Sequence, residues 1–309
     1  MKTPIQSQQT KALEPPDVAL GSRPEVASKL EWAGMEKVAS PIKMRLPDGQ
    51  EILTPAELDL GVSLDQAEAR GIHMSRLFTL AQQRLGQMPL NLLNARSLAA
   101  EMITSQSGLS ENAFLNVRFT LPLLRQALVS EQQGWRQYPV WLKVQGNPKS
   151  WTCQMGVEVL YSSTCPCSAA LSRQVLLDQF SEAFTGRASL SPTEVKDWLE
   201  EHGLPATPHA QRSRAVVEVD LAQAEFAPHP WELIDLIEAR LGTAVQAAVK
   251  RVDEQAFALL NAENFMFCED AARLLKAAMN EDQRLRDFNI MVEHQESLHA
   301  HNAVARTRK

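Results

Sequence analysis

Three short clusters in this 309-residue chain combine sulfur, imidazole, hydroxyl and carboxylate groups. They are Ser163-Thr164-Cys165-Pro166-Cys167-Ser168, His209-Ala210-Gln211-Arg212-Ser213 and Glu296-Ser297-Leu298-His299-Ala300-His301-Asn302. Thiolate and imidazole groups bind borderline divalent metals, and either group can also act as a nucleophile or carry a proton. The clusters therefore indicate either a metal centre or a thiol-based catalytic site.

The Cys-Pro-Cys sequence stands between a predicted strand at 153–161 and a predicted helix at 168–184. Amides at a helix N-terminus lower the pKa of a nearby thiol, which makes it a better metal ligand or nucleophile. Cys165 and Cys167 could instead be small core residues, and a single residue between them is too few for a zinc-ribbon motif. Any metal bound here must take ligands from distant parts of the chain.

Histidine and glutamate residues supply the other candidates. His209 precedes a predicted strand at 214–220, where it could be a solvated side chain, a ligand or a proton donor. His299 and His301 have strand-like spacing of two, so they would share one face if their segment is a strand. Glu254 and Glu269 lie near predicted helix starts, where favourable interaction with the helix dipole would by itself explain a carboxylate.

The remaining patterns predict the elements that position these residues. Apolar spacing predicts helices at 89–105, 168–184, 230–241, 254–262 and 268–280, and alternation predicts strands at 113–123, 138–146, 153–161, 214–220, 287–294 and 300–306. Seven of the 17 prolines fall in the first 60 residues, which predicts an extended, partly disordered lead-in over 1–60. Strands that flank helix pairs, twice over, predict an α+β catalytic domain of two similar modules over 61–309.

Composition limits the class of protein. With 31 Lys and Arg against 37 Asp and Glu, the net charge of −6 disfavours general nucleic-acid binding but allows a local basic pocket. The longest uncharged stretch, 159–172, is shorter than the roughly 18 residues of a membrane span. Without a targeting signal we expect a cytoplasmic protein, in which the four cysteines serve as core residues, ligands or nucleophiles rather than disulfides.

The three clusters occur in a particular order with Gly71-Ile72-His73-Met74-Ser75-Arg76 and Phe267-Cys268-Glu269-Asp270. This order resembles type IB GTP cyclohydrolase I over residues 62–305. The pattern departs from that family at 123–134, where a Lys-Lys pair and a Pro-Val-Ser-Gly turn are expected and Arg125 is the only basic residue. The resemblance implies a metal-dependent hydrolase that opens the imidazole ring of GTP and expels C8 as formate. The product would be 7,8-dihydroneopterin triphosphate, a precursor of tetrahydrofolate.

The resemblance also implies roles for individual residues. Three would be metal ligands: Cys165, Glu254 and His299. His209 would transfer protons, or would be a further ligand, and the ion would be zinc, manganese or iron. Glu269 would accept hydrogen bonds from the N1-H and exocyclic amine of guanine. Further substrate-binding positions would be Glu296 and, for the triphosphate, His73, Arg76, Arg212 and Ser213.

The fold implied by the resemblance is the bimodular tunnelling fold, in which antiparallel sheets carry helix pairs on one face. Its active sites lie between the protomers of a homotetramer. Two other functions remain open from the residues: a metal-free cysteine-nucleophile enzyme resembling the nitrile reductases of the deazapurine pathway, and a non-catalytic purine-binding module. The histidines and the distant glutamate exceed what a simple thiolate nucleophile needs, and a metal assay would separate the two enzymes.

Overall fold

Eight antiparallel strands form one sheet in the part of the chain that the computed structural model describes, residues 23–309. The strands lie side by side in chain order, so every hydrogen-bonded pair joins neighbours in sequence. They are β1 (Leu30–Arg45), β2 (Glu51–Leu64), β3 (Ala113–Gln126), β4 (Gln133–Asn147), β5 (Ser150–Thr164), β6 (Ala210–Leu221), β7 (Leu285–His294) and β8 (Ala303–Arg308).

Seven helices occupy the connections between three pairs of strands within residues 23–309. Between β2 and β3 lie α1 (Met74–Leu85) and α2 (Leu92–Ser105); between β5 and β6 lie α3 (Pro166–Ala183) and α4 (Pro192–His202). Between β6 and β7 lie a short 3-10 turn (Ala224–Phe226), α5 (Pro230–Leu241), α6 (Arg251–Glu263) and α7 (Cys268–Glu281). The predicted α+β class is confirmed.

One hydrophobic core lies between the sheet and its helices. Alternate residues along the central strands are buried, and Leu98 of α2, Ile234 of α5 and Leu275 of α7 belong to the same apolar cluster. Burial of these large side chains stabilises the fold by about 1.5–3 kcal/mol each relative to exposure. The sheet and helices therefore form a rigid support for residues at the strand ends.

The order of elements is similar in the two halves of the chain: two strands, then helices, then two strands. The helices α3 and α4 are an addition to this order, because they separate the two strands that open the second half. The predicted division into two modules follows this order and stays a prediction.

The predicted helices and strands are all present, with ends shifted by a few residues, whereas α1 and α4 were not predicted. The lead-in was placed wrongly where the structure describes it, because β1 and most of β2 lie before residue 60. Pro41 and Pro55 face each other across this strand pair. Pro41 lies on an edge strand, and Pro55 lies just outside the residues of β2 that pair with β3, so neither removes a central hydrogen bond. Residues 1–22 of the predicted lead-in lie outside the described part.

Candidate active site

Cys165 lies where β5 ends and α3 begins. It is the N-cap of α3, Pro166 is the first helical residue, and the cysteine is half-buried. Its backbone N–H donates to the carbonyl of His209 at 3.2 Å. The predicted junction of strand, cysteine and helix is confirmed. The 43 residues between Cys165 and His209 form an excursion whose two ends are adjacent on the sheet.

The register of β5 and β6 explains why these two residues meet. The last pair of the ladder is Thr164 with Ala210, so Cys165 and His209 form the next opposite pair. Side chains of opposite residues in antiparallel strands project to the same face with their Cβ atoms about 5 Å apart. A sulfur and an imidazole are thus within reach of one ion or one substrate atom.

The face of the sheet that carries this pair is apolar along most of β5, β6 and β7 and becomes polar at one end. The buried polar residues at that end are Tyr161, Ser163, Gln211, Ser213 and His294; we call them the polar cluster. Buried polar groups persist in a core when they are hydrogen-bonded to one another or to a ligand. The cluster therefore marks the floor of a site.

Two sets of hydrogen bonds connect these residues. Gln211 Oε1 lies 3.0 Å from His209 Nδ1, and Gln211 Nε2 donates to Ser163 Oγ at 2.9 Å. Ser163 Oγ is in turn 2.7 Å from Ser213 Oγ. Separately, Tyr161 Oη is 2.8 Å from His294 Nε2. Every hydroxyl and amide of the cluster thus has a partner.

Glu296 and Glu269 bring carboxylates to the edge of the polar cluster. Glu296 Oε2 lies 3.8 Å from His209 Nδ1, and its side chain is only 13% exposed. Glu269 is the second residue of α7, where its own backbone amide and the thiol of Cys268 lower the pKa of its carboxyl. Burial lowers the pKa of His294 to about 4, and the negative charge of Glu269 opposes that shift. Glu269 is therefore an ionised acceptor near a neutral imidazole.

Loops from the second half close the edge of β5 beside Cys165. The Ser162 N–H donates to the carbonyl of Thr243, and the Met266 N–H donates to that of Thr164 at 3.3 Å. The second contact holds the residues just before α7 against the end of β5. The start of α7, and with it Glu269, is therefore placed by the same strand as Cys165.

Two of the predicted metal ligands are not brought to this pair. Glu254 is exposed in the first turn of α6, and His299 is exposed in the loop between β7 and β8. The segment that holds His299 and His301 is not a strand, because β8 begins at Ala303, and the two rings stack in the loop with centroids 5.0 Å apart. Within residues 23–309, no group of three or more His, Cys, Asp and Glu side chains is arranged to hold a metal.

The predicted triphosphate residues fall into separate places. His73 is the N-cap of α1, where its N–H donates to Gln106 Oε1, and Arg76 donates to the carbonyl of Ser105. Arg212 is exposed on the face of β6 opposite the one that carries the polar cluster, whereas the hydroxyl of Ser213 is buried against Ser163. Arg76 also donates to Ser107 Oγ, so its contacts lie at the end of α2.

The segment that departs from the family pattern has a structural use. Arg125 Nη2 pairs with Asp235 of α5 at 2.7 Å, and its Nε donates to Tyr138 Oη. Glu238 accepts from the same tyrosine hydroxyl at 2.6 Å. Arg125 therefore joins the β3–β4 hairpin to α5, which contributes to packing between the two halves.

Sequence reasoning did not assign functions to Tyr161, Ser163, Gln211 and His294. A signal was available: polar residues at 161, 163 and 165 alternate with the strand period, and those at 209, 211 and 213 do the same. Without the register of β5 on β6, nothing in the sequence indicated that the two series lie side by side.

Comparison with known proteins decides the family. The family described as type I GTP cyclohydrolase folE2 matches residues 16–305. The chain belongs to this family. The GTP cyclohydrolase FolE2 of Pseudoalteromonas atlantica is 44% identical over 291 residues, covering 94% of both chains. That of Hydrogenovibrio crunogenus is 42% identical over 294 residues, covering 94% of this chain and 93% of its own.

These matches confirm the GTP cyclohydrolase activity that the resemblance implied. The matched relatives are named neither as nitrile reductases nor as purine-binding modules. The family match begins at residue 16, so the boundary of the resemblance at residue 62 was too late. The uricase of Arthrobacter globiformis superposes with a TM-score of 0.53 at 6% identity, covering 92% of this chain and 95% of the uricase. This likeness confirms the tunnelling fold. In residues 23–309 of the FolE2 chain, every helix is too short or too polar to cross a membrane.

Proposed function

We propose that this FolE2 chain is a type IB GTP cyclohydrolase I that opens the imidazole ring of GTP. The reaction would release C8 as formate and form 7,8-dihydroneopterin triphosphate for folate synthesis in the cytoplasm. The observation that carries the proposal is the opposite pairing of Cys165 and His209 at the polar end of the core face. A half-buried thiol and imidazole, next to an ionised glutamate, suit attack on a purine ring.

The donor chemistry fits a borderline divalent ion such as zinc, manganese or iron. Cys165 offers a sulfur donor at the start of α3, and His209 offers an imidazole from the facing chain segment. Within residues 23–309, a single chain assembles no group of three or more such donors. We propose that Glu254 and His299, both exposed, complete the set across a subunit interface of a homotetramer.

A metal held by these residues would lower the pKa of water towards about 7 and would thus supply a nucleophile at neutral pH. The residues of the chain do the rest. Glu269 accepts the N1-H and exocyclic amine of guanine through its two carboxylate oxygens, which aligns C8 with Cys165 and His209. His209 carries or releases the proton at its ring nitrogen, or binds the ion directly. Arg212 and Ser213 lie on β6, and Glu296 lies in the loop just after β7, whereas His73 and Arg76 would reach the triphosphate only from another protomer.

The test is to remove bound metal from the full-length protein and add zinc, manganese or iron singly with GTP. We expect formate and pterin fluorescence to appear together, in equal amounts, only after an ion is restored. Equal turnover in the stripped protein would favour the metal-free cysteine enzyme. GTP binding without formate under every ion would favour a purine-binding module.

Sharing of sites between protomers has its own test. Cys165→Ala and Glu254→Gln chains should each be inactive alone, yet their co-expression should restore part of the turnover, because some sites in a mixed tetramer combine native Cys165 with native Glu254. Sedimentation should give a tetramer. Failure of the mixed assembly to regain activity would argue that each site is built from one chain.

A further inference from the structure

We propose that Gln211 is a positioning residue that holds His209 in the tautomer with its hydrogen on Nδ1. Gln211 is 8% exposed and lies on the same face as His209, two residues along β6. Its side chain contacts the ring nitrogen on one side and Ser163 on the other. The metal-binding part of this inference rests on the proposed function.

The orientation of the Gln211 amide follows from its partners. An amide has one accepting oxygen and one donating nitrogen. With Nε2 donating to Ser163 Oγ, the group at 3.0 Å from His209 Nδ1 is the oxygen Oε1. Because an amide oxygen only accepts, Nδ1 must carry the hydrogen of the neutral ring.

Glu296 decides between this arrangement and the flipped amide. A flipped Gln211 would donate to Nδ1 and accept from the Ser163 hydroxyl, which the serine network alone would allow. The carboxylate of Glu296, 3.8 Å from the same Nδ1, can only accept, so it favours a hydrogen on that nitrogen. Gln211 and Glu296 therefore both favour the tautomer of His209 with its hydrogen on Nδ1.

The backbone of His209 is held as well. Its N–H donates to Ser168 Oγ at 3.1 Å, and its carbonyl accepts from the Cys165 N–H. The backbone of His209 is thus held by α3 and by the end of β5, and the ring has a hydrogen-bond partner at Nδ1. Nε2 is left as the ring nitrogen with a free lone pair, able to bind a metal beside Cys165 or to accept a proton. Metal-binding histidines commonly depend on such a partner, whose loss costs about 10–100-fold in metal affinity.

The test compares Gln211→Leu with Gln154→Leu in the full-length protein. Gln154 is a matched control, because it also donates across the β5–β6 pair, to Asp220 Oδ1 at 2.6 Å, but at the opposite end of the strands. In metal-free protein with 15N-labelled histidine rings, we expect the His209 resonances of the wild type and of Gln154→Leu to report hydrogen on Nδ1. Gln211→Leu should lose that signature.

The second measurement is the affinity of each variant for Co²⁺, followed by thiolate-to-cobalt absorption. We expect Gln211→Leu to bind about 10–100-fold more weakly, Ser163→Ala to show a smaller loss, and Gln154→Leu to match the wild type. An unchanged tautomer and affinity in Gln211→Leu would overturn the inference. An equal loss in Gln154→Leu would also overturn it, because the effect would then belong to the sheet as a whole.

His209→Ala separates this inference from the proposed function. If His209→Ala binds Co²⁺ as tightly as the wild type, the ligand role of His209 is wrong, and the ring resonances alone decide the role of Gln211. If His209→Ala binds weakly while Gln211→Leu retains both the tautomer and the affinity, the proposed metal site stands and the positioning role of Gln211 falls.

Discussion

The helices between β2 and β3 bury their apolar sides on the sheet, whereas those between β5 and β6 do not. In the first half, α2 buries Leu92, Ala95, Leu98, Ala99 and Met102. In the second half, the longer α3 buries only Ala169 and α4 buries no residue. The core of the second half is covered instead by α5 and α7.

This difference indicates that the β2–β3 connection contributes to the core, whereas the β5–β6 connection positions site residues. Because other helices cover the second half, the chain between β5 and β6 is released from core packing and can begin at Cys165 and return at His209. The α3–α4 pair is held by its own aromatic contacts, with Phe180 5.1 Å from Trp198 between ring centroids. Substitutions in the β2–β3 connection should therefore change stability. Substitutions where the β5–β6 connection begins and ends, at Cys165 and His209, should change activity.

The largest expected effect is the loss of activity on substitution of Cys165, where the β5–β6 connection begins. Cys165→Ala should abolish formate release, because it removes the sulfur that faces His209, while the free energy of unfolding stays near that of the wild type. The exposed Cys167, two residues further on, supplies the control: Cys167→Ala should keep its turnover. Formate assays on both variants test the pair, and retained turnover in Cys165→Ala would remove Cys165 from the chemistry.

The corresponding substitution in the first half should act on stability. Leu98 is 2% exposed in the core, so Leu98→Ala should lower the free energy of unfolding by about 2–5 kcal/mol through lost burial and a residual cavity. Leu93→Ala, at a 39% exposed position of the same helix, should change it by less than about 0.5 kcal/mol. Urea titrations at equal protein concentration measure both. Equal effects would mean that α2 does not cover the core as described.

Core burial accounts for only part of what the sequence could predict. Of the four residues whose spacing predicted α2, Leu98 and Met102 are buried in the helix, whereas Leu90 precedes it and Leu93 is exposed. The α4 helix buries no residue and was not predicted, yet Val195, Trp198 and Leu199 have helical spacing, and Ser191 and Glu194 form a capping box at its start. Conversely, α1 buries Leu77, Ala81 and Leu85 and was not predicted, whereas α3 buries only Ala169 and was predicted. Burial alone therefore does not decide which helices the sequence reveals.

Site residues show a similar limit. Cys165 and His209 could be selected from their types and local context, but their opposition depends on strand register, which is fixed by packing along the whole of β5 and β6. For Glu254 and His299, the resemblance implied a shared metal, whereas the single chain leaves both exposed and apart. Contacts that depend on another copy of the chain leave no local pattern.

The α7 helix combines the two roles, because it covers the core and also carries the candidate site residue Glu269. Glu269→Gln replaces one accepting oxygen with an amine that faces the guanine donors. We expect kcat/KM for GTP to fall about 100-fold, equivalent to about 2.7 kcal/mol, with little change in unfolding. Glu281→Gln, at the exposed far end of α7, is the control and should leave the kinetics unaltered. Normal kinetics in Glu269→Gln would place guanine elsewhere.

The smallest effect should come from the outer surface of α3. Leu171 is 68% exposed, so Leu171→Ala removes little buried area and should change the free energy of unfolding by less than about 0.5 kcal/mol. Turnover should also stay unchanged, since the side chain lies beyond the first turn that holds Cys165. Urea titration beside Leu98→Ala gives the contrast directly. If Leu171→Ala instead costs as much as a core substitution, α3 is covered in the assembled protein, and the apparent freedom of this connection is a property of the isolated chain only.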